Sequence, residues 1–338
     1  MKKRVVLYGA SGHTGKFIAS EMARRGWDAV HGGRDRSKVA SVAARHNAEV
    51  RTADVARPNE VAALLSDMDA VINAAGPFGD TSPHLIEAAL RAGIPYFDVT
   101  AEPFVAKDLF EAYADRAQQA GLVVAPAFGF FGALGNLLVT AAMDDWLTAD
   151  RIELAFALDR WRPTNGTRLA GVRRAGRRLV RIDGRTEIRE HTQAVPKGTW
   201  RFDGPFGEQA MIGEFSTVDV VTIARHIPVE TISTWINAGV LADLGAPDPS
   251  GPEAIDETGR SAQQFTIEVV VNNGLKERRA SISGRDIYAV TAPIVCEAVE
   301  WVLDRRAKST GVVAAGELLD ARGFLAALTT DPLSIQLH

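Results

Sequence analysis

The stretch RVVLYGASGHTGKFIASEM, Arg4–Met22, decides the fold of the N-terminal part of the chain. It joins a short apolar run to a glycine-rich turn and then to a helical pattern of apolar residues. This order of strand, turn and helix is typical of two phosphate-binding loops. One binds a nucleoside triphosphate and the other binds a dinucleotide, and the spacing of the glycines separates them.

The triphosphate loop requires G-x-x-x-x-G-K-[ST], and this stretch departs from that motif at two positions. Lys16 follows Gly15, but Ala10 stands where the first glycine is needed. Phe17 stands where a Ser or Thr hydroxyl would bind magnesium. The triphosphate interpretation therefore fails.

The dinucleotide interpretation fits the same residues. Gly9, Gly12 and Gly15 give G-x-x-G-x-x-G, a variant of the dinucleotide fingerprint. The first glycine permits a tight turn, the second allows the backbone to approach a pyrophosphate, and the third allows close packing of helix and strand. A helix over Thr14–Arg25 would direct its positive end at that pyrophosphate. The alternative is a glycine-rich turn that binds no ligand.

Length and composition indicate a two-domain globular protein. The chain has 338 residues, and a single core seldom grows beyond about 250–300 residues. Hydrophobic residues make up 46% and charged residues 24%, which is ordinary for a globular protein. The formal net charge of −4 gives no reason to expect a nucleic acid partner.

The single cysteine, Cys296, excludes a disulfide within this sequence, so we expect a reducing, cytoplasmic setting. The basic start MKKR is followed by an apolar run that soon enters the glycine turn, which does not fit a signal peptide. One uncharged stretch, Gly121–Met143, is long enough to cross a membrane. Pro126 and several glycines interrupt it, so we predict a buried strand, a loop and the start of a helix there. Peripheral membrane attachment through this stretch is the weaker alternative.

Strand and helix patterns alternate regularly through the first third of the chain. The predicted strands are Arg4–Ala10, Asp28–Gly33, Glu49–Asp54, Ala70–Ala75, Tyr96–Thr100 and Leu122–Ala127. The predicted helices are Thr14–Arg25, Arg36–His46, Asn59–Ser66, Pro83–Ala92 and Pro103–Ala120. The fold class that follows is α/β, a Rossmann-type doubly wound parallel sheet whose ligands bind at the carboxyl ends of the strands.

A second, smaller α+β domain is predicted after this sheet. Its strands are Ile152–Leu158, a hairpin turning at Asp183-Gly184, Glu214–Val221 and Gln264–Asn272. A helix starting near Thr291, with Pro293 in its first turn, is expected to return to the first domain. We predict residues 1–149 as the NADP-binding domain, 150–284 as the substrate or dimerisation domain, and 285–338 as C-terminal helices.

The end of the second strand, VHGGRDRSK, favours NADP(H) over NAD(H). An acidic residue at this point binds the ribose 2′-hydroxyl of NAD, whereas an arginine suits the 2′-phosphate of NADP. Arg34 follows the two glycines, Arg36 and Lys38 add positive charge, and Asp35 stands one place late for the acidic role. The alternative is a solvated arginine in a turn.

Candidate site residues also follow the later strands. Asp54 is expected either to contact adenine or to cap the next helix. In VINAAGPFGD, the small residues from Asn73 to Gly76 allow a ribose to approach and Pro77 stiffens the turn. Phe78 would pack near the nicotinamide or cover the core. Asp98 and Glu102, in YFDVTAEP, are acid–base candidates that could equally cap a helix, and Tyr288 is a third candidate.

The segments GASGHTG, GGRDRSK, NAAGPFG, AGIPYFDVTAEP and SGRDIYAVTAP together resemble the saccharopine dehydrogenase-like oxidoreductases. The pairing of AGPF with Y-x-D-x-x-x-E about 20 residues later is the more specific part. The resemblance implies an NADP-type Rossmann domain and a second α+β domain that shapes the substrate pocket. It implies cofactor contacts at Gly9, Ser11, Gly12, Thr14, Gly15, Arg34, Ala75, Gly76 and Pro77, to which we add His13, Asp54 and Phe78.

Ser11 stands where true saccharopine reductases carry the second glycine of G-x-G-x-x-G, and the second domain is short. Both features point to the "-like" branch of the family rather than to saccharopine as the substrate. That branch includes enoyl reductases that act on carrier-bound or lipid-bound chains.

A cluster of arginines marks the second domain. Between Arg168 and Arg189 there are eight arginines against two acids, Asp183 and Glu187, which gives +6. Such a cluster fits an anionic partner: a carboxylate, a carrier or coenzyme A phosphate, or the phosphates of the cofactor. The alternatives are a solvated helix face with a hairpin, or a dimer contact.

The sequence lacks the motifs of three other kinds of catalytic site. No tyrosine is followed four residues later by the lysine of short-chain dehydrogenases, the histidines have no metal spacing, and no G-x-S-x-G occurs. We therefore predict an NADP-dependent oxidoreductase without a bound metal. It would transfer a hydride between nicotinamide and a small, carrier-bound or anionic substrate, and we expect a homodimer. The alternative from another class is a non-catalytic NADP sensor.

Overall fold

The computed structural model describes residues 2–245, 250–328 and 333–337. The parts of the predicted domain ranges that fall on Met1, 246–249, 329–332 and His338 lie outside the described residues. The chain divides into two compact units. Unit 1 comprises Met1–Ala101, Val105–Phe130 and Tyr288–Asp320, and unit 2 comprises Glu102–Phe104, Phe131–Ile287 and Ala321–His338.

The boundaries of these units differ from the predicted ranges. The main division falls after Phe130 rather than after Ala149. The reason is that the helix Gly135–Met143 packs on strands of the second sheet. The predicted C-terminal segment 285–338 is itself divided, because residues from Ala321 onward belong to unit 2.

Unit 1 contains a sheet of seven parallel strands, which confirms the predicted fold class. The strands are β1 (Arg4–Tyr8), β2 (Asp28–Gly33), β3 (Glu49–Thr52), β4 (Ala70–Asn73), β5 (Tyr96–Asp98), β6 (Val123–Ala125) and β15 (Gly311–Val312). Their order is β15-β6-β5-β4-β1-β2-β3. The centre of β1 is wholly buried, as expected for a parallel sheet covered on both faces. The strand order runs outward in opposite directions from β1 and β4, and the doubly wound fold places its ligand site at this switch point.

Eight helices of the described residues belong to unit 1, α5 from Val105 onward. They are α1 (His13–Arg24), α2 (Arg36–His46), α3 (Pro58–Leu65), α4 (Phe78–Ala92), α5 (Pro103–Ala112), α6 (Ala114–Ala120), α11 (Thr291–Leu303) and α12 (Ala315–Leu318). Helix α11 packs against α1. Arg25, just after α1, donates to Glu297 of α11 at 2.7 Å and also pairs with Glu300.

Two helix predictions in unit 1 were wrong in extent. Helix α4 begins at Phe78, not at Pro83, and contains Pro83 within it. Pro77 is the N-cap residue with an extended backbone, ψ of 131°, and the helix begins directly after it. The predicted helix Pro103–Ala120 is broken at Tyr113, whose φ of −112° and ψ of 0° interrupt the regular helix.

Unit 2 is built on a sheet of nine strands, and β7 lies at its centre. The strands are β7 (Ala149–Leu158), β8 (Arg178–Ile182), β9 (Arg185–Arg189), β10 (Lys197–Arg201), β11 (Glu208–Gly213), β12 (Val229–Asn237), β13 (Gln264–Asn273), β14 (Lys276–Arg285) and β16 (Ser334–Leu337). Strand β7 pairs parallel with β12 and antiparallel with β13. The helices are α7 (Gly135–Met143), α8 (Asn165–Arg174), α9 (Asp219–Ala224), α10 (Ala238–Gly245) and α13 (Ala321–Ala327). This is the predicted second α+β domain.

The hairpin prediction is confirmed and one strand prediction is wrong. Strands β8 and β9 pair antiparallel around Asp183 and Gly184, which both have positive φ, 49° and 71°. The predicted strand Glu214–Val221 does not form. Glu214 has a φ of 52°, which turns the chain out of β11, and α9 begins at Asp219.

The uncharged stretch Gly121–Met143 forms a short strand, an irregular turn at Phe130–Leu134 and helix α7, as predicted. Across the described ranges, none of the helices combines the length and the hydropathy that a membrane span requires.

Buried His31 should make the stability of unit 1 sensitive to acid. This β2 residue is fully buried, and among the described residues neither ring nitrogen has a hydrogen-bond partner. Burial lowers its pKa to about 4, and nearby His46 adds to the shift. Its contribution to stability is therefore present above the ordinary pKa of 6.5 and is lost as the pH falls toward 4.

We expect the free energy of unfolding to fall by about 2 kcal/mol more in the wild type than in His31→Leu between about pH 7.5 and about pH 5. Urea unfolding at both pH values measures this difference. His226, whose pKa burial also lowers to about 4, is present in both proteins and cancels in the comparison. An equal loss in the two proteins would show that protonation of His31 is not responsible.

Candidate functional site

The glycine turn after β1 is bonded to the end of β2. Gly9 has a φ of 89°, and its N–H donates to the carbonyl of Gly32 at 2.9 Å. Gly12 N–H then donates to Gly9 O at 3.0 Å, which closes the turn immediately before α1. The predicted strand, turn and helix are thus formed by hydrogen bonds within the motif and to the neighbouring strand.

Two of the three glycines have no room for a side chain. A Cβ on Gly9 would lie 2.7 Å from the backbone nitrogen of Ala75, and a Cβ on Gly15 would lie 2.2 Å from Gly9 O. Gly12 is exposed and precedes α1 as its N-cap. The turn therefore forms a backbone cradle at the positive end of a 12-residue helix, which is suited to a pyrophosphate.

The end of β2 presents Arg34 to solvent, while its acidic neighbour has a structural role. Asp35 caps α2, because its Oδ1 accepts from Ser37 N at 3.0 Å and from Lys38 N at 3.2 Å. The Ser37 hydroxyl also donates to it, and these hydrogen bonds lower the pKa of Asp35. The carboxylate that could have bound a ribose hydroxyl is engaged by the helix.

Tyr8 lies beneath the ends of β2 and β3. Its hydroxyl is buried and donates to Ala53 O at 3.1 Å. Burial raises the pKa of Tyr8, the charge of Arg34 opposes the rise and the charge of Asp54 adds to it. The charges of Arg34 and Asp54 therefore both act on the Tyr8 hydroxyl.

Asp54 does not cap α3, so that alternative was wrong. Its Oδ1 accepts from Ala56 N at 3.0 Å in a local turn, and its own N–H donates to Glu60 Oε2 at 2.9 Å. Arg57 holds the N-cap position of α3 and makes no side-chain capping bond.

The segment after β4 adjoins the glycine turn. Ala74 N–H donates to Tyr8 O at 2.8 Å, and Ala75 lies against Gly9. Gly76 is exposed, and Pro77, after a cis peptide bond, precedes the half-buried Phe78 at the start of α4. The structure thus brings the predicted cofactor residues of three strand ends together.

Asp98 lies inside the domain rather than at the rim of a site. Its exposure is 0%, and Tyr96, Ser82, Thr100 and Ala127 all donate to its carboxylate. Burial raises its pKa, and these donors oppose the rise. The interpretation of Asp98 as an acid–base residue acting on a substrate is wrong, because its oxygens are enclosed and engaged.

Tyr288 lies beside the glycine turn. Its half-buried ring packs edge-on against His13, with ring centroids 5.2 Å apart, and His13 packs edge-on against Phe17 at 5.3 Å. The sequence did not indicate this contact, since 275 positions separate the two residues. Glu102 is half-buried and immediately precedes α5.

A buried polar network below the site was missed by the sequence reasoning. Asn73 donates to the hydroxyls of Thr81, Ser82 and Tyr96. Ser82 and Tyr96 in turn donate to Asp98. The available signal was an asparagine at the end of a strand that is otherwise apolar, since a buried amide requires partners.

The arginine cluster is used largely within unit 2. Arg178 pairs with Glu214 at 3.0 Å and donates to Gln193 O at 3.0 Å. Arg181 donates to Val229 O at 3.1 Å, and Arg174 donates to Ser216 O at 3.0 Å. Arg177 stacks over Phe104. These contacts reduce the number of arginines that an anionic partner could use.

The comparisons with known proteins agree with this geometry. The family model of the saccharopine dehydrogenase NADP binding domain matches residues 5–125, which contain the glycine turn, Arg34 and the segment after β4. Residues 5–125 are a saccharopine dehydrogenase NADP-binding domain. The resemblance inferred from the motifs is confirmed for this domain.

The relatives match about two fifths of this chain. A candidate trans-acting enoyl reductase of Mycobacterium tuberculosis is 32% identical over 144 residues, 40% of this chain and 34% of that protein. A saccharopine dehydrogenase-like oxidoreductase of Bos taurus is 24% identical over 169 residues, 43% of this chain and 39% of that protein. The matched region thus spans between a third and two fifths of each relative.

One solved structure matches along nearly the whole chain. Apo saccharopine dehydrogenase (L-Glu forming) of Saccharomyces cerevisiae has a TM-score of 0.68 over 99% of this chain and 100% of that one, at 12% identity. This likeness shows that the two proteins share a fold.

Replacing Gly15 with alanine should disrupt the NADP-binding domain at its turn. The Cβ would overlap Gly9 O, so the backbone must shift, at a cost of about 1–3 kcal/mol of unfolding free energy. We expect calorimetry to detect no NADPH binding by this variant.

Gly26→Ala is the matched control. Gly26 follows α1, has a φ of 68° and has open space where a Cβ would stand. Backbone strain should cost it about 1 kcal/mol without affecting NADPH affinity. Wild-type NADPH affinity in Gly15→Ala would contradict the role given to the turn.

Proposed function

We propose that the protein is an NADPH-dependent reductase of the saccharopine dehydrogenase-like type. The observation that carries this proposal is the backbone cradle at Gly9–Gly15, whose close packing a Cβ on Gly9 or Gly15 would disrupt. Arg34 at the end of β2 supports a cofactor that bears a 2′-phosphate. The activity of the whole protein is part of the proposal, since the matched relatives extend well beyond the shared region.

The residues present fit each part of NADPH. The turn and the first residues of α1, from Ser11 to Gly15, would bind the pyrophosphate through backbone N–H groups. Arg34 would bind the 2′-phosphate, and Asp54 would lie beside the adenine. The segment from Ala75 to Phe78 would border the nicotinamide ribose, where small residues leave the backbone accessible.

When bound, NADPH would supply a hydride from its nicotinamide to the electrophilic carbon of the substrate. The chain's own contribution is to hold the cofactor, orient the substrate and exclude water. Tyr288, next to His13, and Glu102 remain the proposed sources of the proton that accompanies the hydride. Phe78 is proposed to cover the nicotinamide end.

Arg34→Ala should lower affinity for NADPH and NADP⁺ while leaving affinity for NADH and NAD⁺ nearly unchanged. A charged hydrogen bond to a phosphate contributes about 1.5–3 kcal/mol, which corresponds to about a 10- to 100-fold change in affinity. Calorimetric titration of both proteins with all four nucleotides measures the change. We expect less than about a threefold change for NADH.

Arg45→Ala is the control for a general loss of positive charge, since Arg45 is exposed in the last turn of α2. It should bind NADPH with wild-type affinity. If Arg34→Ala retains the wild-type preference for NADPH, the assignment of Arg34 to the 2′-phosphate is wrong. If the wild type binds none of the four nucleotides, the reductase proposal fails.

We propose an α,β-unsaturated thioester as the substrate class, carried on coenzyme A or on a carrier protein. The similarity to proteins described as trans-acting enoyl reductases supports this class. In the reaction, the β-carbon gains the hydride, the α-carbon gains a proton, and the carbon–carbon double bond becomes single as NADPH is oxidised to NADP⁺. A homodimer in the cytoplasm is part of the same proposal.

Turnover should distinguish this reductase from a non-catalytic NADP sensor. We expect NADPH oxidation with trans-2-enoyl thioesters, one saturated product per NADPH consumed, and no oxidation with saccharopine or without an acceptor. Gly15→Ala, purified identically, controls for contaminating reductases. Binding of NADPH and NADP⁺ without oxidation by any enoyl thioester would favour the sensor.

A further inference from the structure

We propose that Asp98 is a positioning residue that holds the Ala75–Phe78 segment of the NADPH site from inside the sheet. The inference rests on the proposed function, because it concerns the segment that would border the nicotinamide ribose. It assigns to Asp98 a role in cofactor binding that needs no contact with the cofactor.

The carboxylate of Asp98 joins one strand, the segments that follow two strands, and one helix. Its Oδ1 accepts from Thr100 N at 3.0 Å and from Ala127 N at 2.9 Å. Its Oδ2 accepts from Ser82 Oγ at 3.0 Å and from Tyr96 Oη at 2.8 Å. The chain after β5, the chain after β6, helix α4 and β5 itself are thereby tied to one side chain.

These bonds fix the direction of the hydroxyl groups. An ionised carboxylate only accepts hydrogen bonds. Ser82 and Tyr96 must therefore each donate their one hydroxyl proton to Asp98. Their oxygens are then left as acceptors for Asn73 Nδ2, at 3.3 and 3.1 Å. The same Nδ2 donates to Thr81 Oγ1 at 3.0 Å, so its two hydrogens are shared among three acceptors.

The orientation of Asn73 in turn determines how Ala75 is held. With its nitrogen facing the hydroxyls, the Asn73 side chain directs Oδ1 at Ala75 N–H, at 3.0 Å. Thr81 accepts from Asn73 and donates its own proton to Ala75 O at 2.7 Å. The N–H and the carbonyl of Ala75 are therefore both bonded to side chains. Asp98 sets which atoms of this chain of hydrogen bonds donate and which accept, and we call this direction the polarity of the network.

Replacing Asp98 with asparagine should reverse this polarity without changing the size of the side chain. An amide oxygen can still accept from the Thr100 and Ala127 N–H groups, which directs the amide nitrogen at Ser82 and Tyr96. The hydroxyl protons of Ser82 and Tyr96 would then have no acceptor unless the Asn73 amide turned its oxygen toward them. The conflict would release Asn73 and loosen its hold on Ala75.

Calorimetry on the full chain tests the inference with two ligands, NADPH and 2′,5′-ADP. The second ligand contains the 2′-phosphate and the adenosine but no nicotinamide ribose. We expect Asp98→Asn to lower NADPH affinity by at least about tenfold and to change 2′,5′-ADP affinity by less than about twofold.

Hydrogen–deuterium exchange measures the positioning directly. In Asp98→Asn, amides at 74–78 should exchange faster, while those of β1 and α1 should keep their wild-type protection. If Asp98→Asn does not fold, Tyr96→Phe serves instead, since it removes one donor to Asp98 and one acceptor from Asn73.

Unchanged NADPH affinity and unchanged exchange at 74–78 in Asp98→Asn would overturn the inference. An equal loss of both ligands, with faster exchange throughout unit 1, would also overturn it, because Asp98 would then serve stability alone. A wild type that binds 2′,5′-ADP but shows no NADPH oxidation would count against the proposed reaction and leave these binding results interpretable. A wild type that binds neither ligand would overturn both proposals.

Discussion

The contact between the glycine turn and the end of β4 is the constraint on which the NADP-binding domain depends. Gly9 approaches the Ala74–Ala75 peptide so closely that no side chain fits between them. The same residue donates to Gly32 at the end of β2. One glycine therefore sets the distance between the first strand and the strands on either side of it. A pyrophosphate site made of backbone N–H groups needs this spacing, because its donors cannot adjust as side chains do.

The buried polar network holds the segment after β4, which must stay small to allow the close approach of Gly9. The segment after β4 has small residues and an exposed glycine, so few apolar contacts are available to hold it. Hydrogen bonds from Asn73 and Thr81 to Ala75 supply the missing restraint. Such a network stabilises the fold only when every buried polar group in it is hydrogen-bonded, because an unpaired group loses its water without replacement. Asp98 meets that condition by accepting four donors, which is why a fully buried carboxylate is tolerated there.

The sequence correctly predicted the features that depend on residues close together in the chain. The glycine spacing indicated the turn and helix α1, and Asp183-Gly184 indicated a hairpin, because both residues accept positive φ. The predicted strand Glu214–Val221 was wrong, because Glu214, a residue type that seldom adopts positive φ, turns the chain away from β11. The roles of Asp98 and Tyr288 depend on partners that are distant in sequence, Ala127 and His13. No local pattern indicates such contacts, so the sequence alone predicts both residues only as acid–base candidates.

Unit 2 has its own buried aspartate, and burial raises the pKa of both carboxyls, but their hydrogen-bond partners differ. Asp219 is fully buried and accepts from Gly132 N at 3.1 Å. A Cβ on Gly135 would lie 2.4 Å from its Oδ1, so this carboxylate also needs a glycine beside it. Burial raises the pKa of Asp219 to about 6, since the hydrogen bonds it accepts do not compensate for the loss of water. The four donors around Asp98 stabilise its ionised form, and only an ionised carboxylate imposes one direction on the hydroxyls around it. The number of donors, rather than the depth of burial, is therefore what lets a buried aspartate orient the backbone of a binding site.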